Sequence, residues 1–549
     1  MHKKRMALCT SRDVIIFGVG LLTLGAVVLA LTDRSAPTPK VTDLVSGSAM
    51  HGATGIAVAD DGTLYVASFN GQSIYHIDPK SGKVDVAVGP PFGKGDDIAL
   101  GPAGTRSAGI LAWTTLESVN VLRPGGKPEA LMERAARANP IAFDRDGRLF
   151  FSQSGTPENE LWELDPLGVA SPRLVLKGQG ALNGFGFGPD GRLYSPLFGT
   201  DQAIAIDVGS RATVPVVNGL GSVVAVKPDA RGNLFSIDYK TGDVWRVTAT
   251  TGDVKRLTTL SPPLDNLAVA ADGTLYVSST AESTIFAVDS DTGATRKVAG
   301  GPFNTPLGMV MTTRAGKPAL LAAQPMGFIY IDPVTGDTVR PSWDDGRNGS
   351  FAIAADARSV ITVFNRRLRK IDRILDTVVR ESRDEIAPSG VVLAPSGEII
   401  VTEIARGAVL KWTDEGFVAI AEGLAEPTAI ALDSPTSILV AETSAGQISR
   451  IDLLSGQRTA VASGLDRPQG VVKLLDGQIA IAESGSGVVA AISPDGRRRE
   501  LASGLALSTA GLRVPSTVPI GMAVDGDGTL YVACAGDNRI VKIAVAKQR

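Results

Sequence analysis

This chain of 549 residues contains few cysteines and histidines, and it has no marked excess of either charge. Two cysteines, Cys9 and Cys534, are too few for a disulfide scaffold. Three histidines, with His2 in the N-terminal tail, exclude the multi-histidine zinc sites of metalloproteases. Lys and Arg number 54 against 57 Asp and Glu, a net charge of -3, so the basic surface of a nucleic-acid-binding protein is missing.

Two motifs of enzyme chemistry are missing as well. The sequence contains no Gly-x-Ser-x-Gly and no Gly-Lys-Ser or Gly-Lys-Thr. Serine hydrolases of the elbow type and phosphate-loop ATPases therefore have no support. Aromatic residues make up only 5%, whereas Gly numbers 62 and Pro 32. This composition favours many tight turns over long helices.

The N-terminal region contains the longest uncharged run. Residues 14–32 carry no charge and follow a basic tail, residues 1–13. At about 1.5 Å per residue, such a run spans the ~30 Å hydrocarbon layer of a bilayer. We predict a transmembrane anchor with a cytoplasmic N-terminus; a cleaved signal peptide and a buried helix are the alternatives. Residues 33–40 are predicted to be a linker, and everything beyond them to be periplasmic or extracellular.

Internal repeats dominate the rest of the chain. Residues 55–68 (GIAVADDGTLYVAS), 266–279 (NLAVAADGTLYVSS) and 521–534 (GMAVDGDGTLYVAC) follow one pattern. An apolar strand is followed by an Asp-Gly turn and a second apolar strand, which is a strong hairpin signal. A third strand, an Asp-x-x-x-Gly turn such as residues 78–82, and a fourth strand complete each unit.

The spacing of the repeats predicts the architecture. Successive first core residues are 39 to 44 residues apart, except for a last step of 51 that contains an insertion at residues 506–518. A period of about 42 residues with four strands is typical of β-propeller blades, and rings usually hold about 4–8 of them. We predict an all-β fold of two six-bladed propellers, residues 41–302 and 303–549. The core residues are Ile56, Ile98, Ile141, Phe185, Val224, Leu267, Met309, Phe351, Val391, Ile430, Val471 and Met522.

The chain ends predict how the rings close. Residues 41–46 match the fourth-strand pattern although no earlier strands precede them, and the last unit has only three strands. We predict that residues 41–46 complete the blade at Leu267 and that residues 295–300 complete the blade at Met522. Such exchange would remove the open sheet edges that invite aggregation.

The units resemble NHL-repeat, virginiamycin-B-lyase-like and senescence-marker/gluconolactonase-like propellers. The motifs that carry the resemblance are residues 183–194 (NGFGFGPDGRLY), residues 55–66 and residues 467–472 (RPQGVV). In the gluconolactonase-like branch, the Asn at the position of Asn183 coordinates a divalent metal together with a Glu and an Asp from other blades. This chain has Thr54 where that branch has its Glu, and Ser222 where it has its Asp.

A ring of polar residues is expected at the axis of the first propeller. The residue two positions before each first core residue should face the central channel. In the first ring these are Thr54, Asp96, Asn139, Asn183, Ser222 and Asp265. Hard oxygen donors of this kind suit Ca²⁺, so we predict a divalent cation, most simply calcium, held by Asp96, Asn139, Asn183 and Asp265. The alternative is that these Asn and Asp residues cap turns before strands. The second ring has Leu307, Gly349, Ser389, Thr428, Gln469 and Ile520, and should not bind a metal.

Four further residues are candidates for catalysis. Glu403, Glu442 and Glu483 each end the second strand of a blade in the second ring, where neighbouring carboxylates can shift each other's pKa. The alternatives are a solvated rim, or glutamates that accept hydrogen bonds from strand amides. His51 precedes the first blade and could reach the mouth of the first ring, although a lone histidine is more often structural.

Two functions follow from these observations. The first is an exported, membrane-tethered scaffold that binds a small molecule, protein or glycan on a propeller face. The alternative, implied by the family resemblance, is a divalent-metal-dependent lactone or ester hydrolase, or a lyase. A propeller fold alone does not distinguish the two.

Overall fold

The computed structural model describes residues 39–342, 344, 349–364, 366–375 and 377–545. This described part contains twelve four-stranded antiparallel sheets, and its only helix is a short 3-10 turn at Ala535–Asp537. The predicted all-β fold of twelve four-stranded repeats is confirmed. The predicted membrane segment, residues 14–32, lies outside the described residues. Within them, no helix is both long and apolar enough to cross a bilayer.

The first strand and the first six sheets come from the N-terminal half. Strand β1 is Val41–Val45. Sheets 1 to 6 each consist of four consecutive strands: β2 Ala53–Val58, β3 Leu64–Ser68, β4 Ser73–Ile77, β5 Val84–Val88; β6 Ile98–Leu100, β7 Leu111–Thr114, β8 Val119–Leu122, β9 Glu129–Met132; β10 Ala138–Phe143, β11 Leu149–Gln153, β12 Glu160–Leu164, β13 Arg173–Leu176; β14 Gly186–Phe187, β15 Leu193–Pro196, β16 Ala203–Ile206, β17 Thr213–Val217; β18 Val223–Pro228, β19 Leu234–Asp238, β20 Asp243–Val247, β21 Val254–Thr259; β22 Leu264–Val269, β23 Thr274–Ser279, β24 Thr284–Asp289, β25 Thr295–Ala299.

The other six sheets come from the C-terminal half. Sheets 7 to 12 contain the following strands in chain order, and sheet 12 has three of its own: β26 Met309–Arg314, β27 Lys317–Gln324, β28 Gly327–Ile331, β29 Thr338–Val339; β30 Ile353–Ala355, β31 Ser359–Phe364, β32 Arg367–Asp372, β33 Thr377–Glu381; β34 Pro388–Leu393, β35 Ile399–Glu403, β36 Ala408–Thr413, β37 Gly416–Ala421; β38 Pro427–Ser434, β39 Ser437–Glu442, β40 Gln447–Asp452, β41 Arg458–Ala462; β42 Pro468–Lys473, β43 Ile479–Glu483, β44 Val488–Ile492, β45 Arg498–Ala502; β46 Met522–Val524, β47 Thr529–Cys534, β48 Arg539–Ala544.

The turns follow from local sequence. In the first hairpin the Asp61 carboxylate accepts a hydrogen bond from the Thr63 amide at 2.9 Å, and Gly62 adopts φ +85°. Glycine reaches this left-handed conformation without the Cβ clash that other residues meet. In the second turn the Asp78 carboxylate caps the Lys80 amide at 2.9 Å, and Gly82 adopts φ +72°. The predicted Asp-Gly and Asp-x-x-x-Gly turns therefore place the strands as expected.

The sheets pack face to face around two channels. Leu64 and Val66 of β3 pack against sheet 6, whereas Ala67 of the same strand packs against sheet 2, so both faces of sheet 1 are buried. The first strands of sheets 1 to 6 contact one another in sequence, and β22 contacts β2 to close the series. The first strands of sheets 7 to 12 form a second closed series, in which β46 contacts β26. This is the arrangement of two six-bladed propellers, called ring one and ring two below.

The predicted exchange of strands between the rings is wrong. Strand β1 pairs with β48, with Val41 opposite Ile543 and Val45 opposite Ile540, and so completes sheet 12 of ring two. Strand β25 stays in sheet 6, paired with β24. The reason is that every sheet of ring one already has four strands of its own, whereas sheet 12 of ring two has only three and is completed by β1. Ring one is therefore inserted between the first strand of ring two and the remainder of it.

Ring one closes without a shared sheet. Side chains from sheet 6 bond to the backbone of sheet 1: Ser278 Oγ donates to the Thr54 carbonyl at 2.6 Å, and Thr280 Oγ1 to the Ala53 carbonyl at 3.2 Å. An apolar cluster that includes Ile56, Tyr276 and Ile285 fills the same boundary. Ring one therefore closes through side-chain packing and side-chain hydrogen bonds, whereas ring two closes through the backbone ladder between β1 and β48.

The predicted repeat phase is displaced in sheet 8. Phe351, predicted as its first core residue, precedes β30, which begins at Ile353. In ring one the Gly55 amide donates to the Asp96 carbonyl, and in ring two the Gly308 amide donates to the Phe351 carbonyl. Phe351 is therefore the counterpart of Asp96, and it replaces Gly349 in the channel-mouth set of ring two.

Candidate functional site

The six residues predicted from the repeat phase lie at or just before the start of the first strands of sheets 1 to 6. Hydroxyl groups of second strands fix the backbone at three of them: Ser278 bonds to the carbonyl of Thr54, Thr114 Oγ1 to that of Asn139 at 2.6 Å, and Ser195 Oγ to that of Asn183 at 3.2 Å. Thr54 is buried and the other five are half-buried. The first two bonds tie neighbouring sheets together, and the third lies within sheet 4.

Asp96 and Asp265 have unusual electrostatics. Burial and the charge of neighbouring Asp97 raise the pKa of Asp96 to about 7. The pKa of Asp265 is also raised well above its ordinary value, by burial and by the charges of Asp96 and Asp97. Within the described residues, the carboxylates of Asp96 and Asp265 accept no hydrogen bond, so hydrogen bonding does not offset the cost of burying their negative charge.

Asp97 is a third channel carboxylate, which the repeat phase did not single out. It is buried, and its Oδ1 accepts hydrogen bonds from Asn266 Nδ2 and from the Ile98 amide, both at 2.8 Å. Its Oδ2 accepts a hydrogen bond from the Ile141 amide at 3.1 Å. Burial raises the pKa of Asp97, and the positive charge of Lys227 and these hydrogen bonds oppose the rise. Asp97 therefore joins sheets 2, 3 and 6.

Lys227 supplies a cation inside the same channel. Its Nζ donates to the Phe185 carbonyl at 2.7 Å, and burial lowers its pKa while the charge of Asp97 opposes that effect. One lysine against three channel aspartates leaves a formal charge of -2. A usable signal was present in the sequence, because Lys227 stands where most sheets of ring one have a small residue: Ala59, Gly101, Gly188 and Ala270.

The two asparagines of the predicted set differ in their bonding. Asn183 Oδ1 accepts a hydrogen bond from the Gly184 amide at 2.9 Å, which is the turn-capping role considered as an alternative. An amide oxygen has two acceptor sites, so one remains for another partner. The Asn139 side chain has no hydrogen bond to any described residue. Turn capping therefore accounts for part of the set and leaves donor oxygens free to face the channel.

These residues match the chemistry of a hard divalent cation. Two carboxylates and two amide oxygens are ligands that Ca²⁺ accepts, and the formal charge of -2 balances one such ion. Among the described residues, those at the mouth of ring one included, no group of three or more His, Cys, Asp or Glu is arranged to hold a metal. A cation at this mouth would therefore depend on the mixed set of Asp96, Asn139, Asn183 and Asp265, and not on acids alone.

An arginine from ring two reaches the mouth of ring one. The insertion at residues 506–518 lies over sheet 1, where the Arg513 amide donates to the Asn70 carbonyl at 2.6 Å and Gln72 Nε2 donates to the Gly511 carbonyl at 3.0 Å. The Arg513 guanidinium lies 3.9 Å from the centre of the Phe69 ring. Its positive charge opposes the rise in the pKa of Asp96. The irregular repeat step revealed the insertion, but not its contact with ring one.

His51 lies between the rings and not at a channel mouth. It is 3% exposed, and its Nδ1 is 2.9 Å from Thr305 Oγ1. Its amide donates to Ser68 Oγ at 2.8 Å. Burial lowers the pKa of His51 to about 4, so the imidazole is neutral at pH 7. These contacts indicate a structural residue of the junction between the rings.

The three glutamates of ring two are also structural. All three are buried, and each accepts a hydrogen bond at 2.9 Å from an amide at the entry of the first strand of its own sheet: Ala387 to Glu403, Ala425 to Glu442 and Asp466 to Glu483. Arg458 and Arg498 pair with the last two. The alternative of glutamates bonded to strand amides is the one observed, so these carboxylates do not form a common catalytic surface.

An apolar cavity of about 470 Å³ lies at one side of the mouth of ring two, between sheets 7 to 9 and the insertion. The rest of the insertion forms one wall through Pro515 and Val518, and Phe351 and Ile386 contribute another. Arg366 is the only charged residue among those lining it in the described chain. The size lies within the range of small-molecule sites.

Comparisons with known proteins give only distant structural matches. No protein-family model matches the chain, and no curated protein matches it. Among solved structures, a gluconolactonase from Xanthomonas campestris is 17% identical, with 46% of this chain and 96% of that chain covered and a TM-score of 0.37. Virginiamycin B lyase from Staphylococcus aureus is 13% identical, with 66% and 95% covered and a TM-score of 0.24. A chain of a nidogen/laminin complex is 19% identical, with 39% and 84% covered and a TM-score of 0.34.

These neighbours are the propeller types that the sequence motifs resemble. At such low identities and TM-scores, these matches carry no argument about the fold or the activity of this chain. The case for a function therefore depends on the residues of the two channel mouths.

Proposed function

We propose that the mouth of ring one binds a divalent cation and hydrolyses a small lactone or ester. The observation that carries this proposal is the pair of carboxylates, Asp96 and Asp265, that stand half-buried without hydrogen-bond donors and with raised pKa values. Burying two unpartnered carboxylates is costly. A cation would remove that cost, and Asn139 and Asn183 would complete its oxygen ligands.

Each part of the site has a separate role in this proposal. A bound cation of this kind polarises a carbonyl oxygen and lowers the pKa of water. Asp96 and Asp265 hold the ion, and Asp97, which is fully bonded to its neighbours, keeps sheets 2, 3 and 6 in register beneath it. Arg513 lies at the rim, where its guanidinium would attract a substrate carboxylate or the developing negative charge of the reaction.

Proton release gives a direct test of cation binding. Because the pKa of Asp96 is about 7, a cation that binds the carboxylate must displace a proton from part of the population at neutral pH. Calorimetry with calcium in buffers of different ionisation enthalpy should detect this release, and affinity should rise between pH 6 and pH 8. Calcium should also raise the Tm, and Asp265→Asn or Asn183→Ala should abolish that rise.

The matched control is Ser222→Ala, which alters the same ring of channel residues outside the proposed ligand set. It should leave calcium binding unchanged. Equal melting temperatures with calcium and with chelator, at both pH values, would contradict the cation site. Calcium binding without hydrolysis of any lactone or ester in a broad panel would retain the site and reject the enzyme.

A second candidate is a ligand-binding module, and the apolar cavity of ring two favours it. Phe351, Ile386 and Val518 offer a surface for an apolar small molecule. Fluorescence titration with an apolar dye should detect binding, and Phe351→Ala should weaken it while leaving calcium binding at ring one intact. Unchanged dye binding in Phe351→Ala would contradict a site at this mouth.

The export of the propellers remains a proposal that rests on residues 14–32. A reporter fused at the N-terminus should stay in the cytoplasm, and one inserted after Lys40 should be exported. Recovery of the protein with the membrane fraction would support the anchor. A released chain that begins near Asp33 would instead support a cleaved signal peptide.

A further inference from the structure

A second polar cavity, of about 460 Å³, lies between sheets 7 and 8 of ring two. It is on the face opposite the channel mouth, where the hairpin turns join first to second strands. Its most prominent lining residues are Arg314, Arg340, Arg373 and Tyr330. No carboxylate is among the lining residues of the described chain.

Arg373 is held in place by neutral acceptors. Its Nη1 donates to Thr312 Oγ1 and to the Asp356 carbonyl, both at 2.7 Å, and its Nη2 donates to the Thr313 carbonyl. These bonds fix the plane of the guanidinium without neutralising its charge. The Asp356 side chain is engaged elsewhere, since it accepts hydrogen bonds from the Arg358 and Ser359 amides.

Arg314 and Arg373 share one aromatic ring. Their guanidinium carbons lie 6.0 and 5.6 Å from the centre of the Tyr330 ring. Neither arginine forms an ion pair with a described carboxylate. Arg340 does, with Asp344 at 3.0 Å. Three arginines with the nearby carboxylates of Asp344 and Asp356 leave a charge of +1 around the cavity, which favours an anionic ligand such as a phosphate or sulfate group.

We propose that this cavity binds a phosphate or sulfate group carried by a small organic molecule. Arginine presents paired N–H donors that match tetrahedral oxyanions, and the fixed guanidinium of Arg373 loses little conformational entropy on binding. The cavity is larger than an inorganic anion needs and lies within the range of small-ligand sites. Pro341 and Ile374, which also line it, offer apolar contacts to the remainder of such a ligand.

Calorimetry with the full chain at low ionic strength tests this proposal. The probes are inorganic phosphate, glucose 6-phosphate and glucose. We expect both phosphates to bind, glucose 6-phosphate more tightly, and glucose not at all. Arg314→Gln and Arg373→Gln should each weaken phosphate binding by about tenfold or more, the loss of a charge-assisted contact. Arg231→Gln, an exposed arginine on the equivalent turn of sheet 5, should change nothing.

If Arg373→Gln fails to fold, Arg314→Gln still tests the proposal. The contact described for the Arg314 side chain is with the Tyr330 ring, so this substitution disturbs the fold less. Absence of phosphate binding, or binding that Arg314→Gln and Arg231→Gln reduce equally, would overturn the proposal. Equal affinity for inorganic phosphate and glucose 6-phosphate would contradict the proposal that the ligand carries an organic group.

Discussion

The two rings are built from the same repeat, yet their channel mouths have opposite chemistry. Ring one presents carboxylates and amides, and ring two presents mainly apolar and hydroxyl groups. The counterpart residues in ring two are Leu307, Phe351, Ser389, Thr428, Gln469 and Ile520. The glycines beside them show that the backbones are equivalent: a Cβ on Gly55 would lie 2.6 Å from Asp97 Cα, and one on Gly308 would lie 2.9 Å from Ala352 Cα. Backbone geometry is therefore shared, and function must reside in the side chains that this geometry presents.

The rings also differ in how they close, which predicts the largest effect. Deleting residues 39–45 removes β1, and with it the buried side chains of Leu44 and Val45 from the core of ring two. Burial of two such side chains contributes about 3 to 6 kcal/mol. Hydrogen exchange should become faster at the amides of β48 in ring two and stay unchanged at β24 and β25 in ring one.

Val41→Thr is the matched control, because Val41 is exposed and its strand remains paired. Faster exchange in sheet 6 after the deletion would contradict the closure seen here. It would restore the exchange of strands that the sequence suggests.

Removing Asp97 should destabilise ring one alone. Asp97→Ala leaves Asn266 Nδ2 and the amides of Ile98 and Ile141 without their acceptor, and leaves Lys227 without its counter-charge. Breaking such a buried network typically costs about 3 to 5 kcal/mol. Ring two has Ala352 at this position, so its stability should not change. The difference can be measured by unfolding the protein with denaturant and using limited proteolysis to follow the unfolding of each ring.

Asp97→Asn provides the control for Asp97→Ala. It keeps an acceptor oxygen and most of the shape, and should therefore lose less stability. Equal losses in the two variants would indicate that the charge of Asp97, and not its hydrogen bonds, supports ring one.

Acid and base should act in opposite directions on ring one and on the junction. The pKa of Asp96 is raised from 3.8 to about 7, so its contribution is fully present below pH 4 and is lost as pH rises towards 7. The pKa of His51 is lowered from 6.5 to about 4, so its contribution is present above pH 6.5 and lost as pH falls towards 4. The His51 effect is on the order of 3 kcal/mol.

Variants separate the pH dependence of stability due to Asp96 from that due to His51. Asp96→Asn should raise the Tm at pH 8 in chelator by several degrees and remove the Asp96 share of the stability lost as pH rises, leaving the shares of Asp265 and Asp97 beside the His51 effect. Calcium should give the wild-type chain a similar rise at pH 8 and very little at pH 5. A Tm of Asp96→Asn that matches the wild type at every pH would show that Asp96 does not carry uncompensated charge.

The smallest expected effect on stability comes from Arg513, in the insertion at residues 506–518 that reaches from ring two to ring one. Arg513 is exposed, so Arg513→Gln should change stability by less than about 1 kcal/mol. Its positive charge favours ionised Asp96, so the variant should raise the pKa of Asp96 and weaken calcium binding at pH 7 more than at pH 8. Calcium titrations at the two pH values measure this. Arg123→Gln, on sheet 2 and paired with Glu129, is the control.

Local sequence was sufficient for the strands, the turns and the phase of most sheets. An Asp that caps its own turn and a Gly at positive φ act within a few residues, so Asp61–Gly62 specifies its hairpin wherever the unit lies in the ring. The same locality placed Asp96, Asn139, Asn183 and Asp265 at the mouth. It failed at sheet 8, where Phe351 and Ile353 are both apolar and two residues apart, so that either could begin the core.

Contacts between distant segments decided the rest. The pattern of β1 fits the fourth strand of a sheet in either ring. Because every sheet of ring one already has four strands, β1 pairs with β48 in ring two. Asp97, Lys227 and Arg513 act at the mouth through sheets 3, 4 and 6 and through an insertion from the other ring. Glu442 is a catalytic candidate in the sequence, but in the structure it accepts a hydrogen bond from the Ala425 amide and pairs with Arg458. By itself the sequence determined the repeat and the residues each repeat offers, because those depend on short-range hydrogen bonds and periodicity. Only the tertiary structure decided which of them meet and which remain unpartnered, because closing a ring brings together residues far apart in the chain.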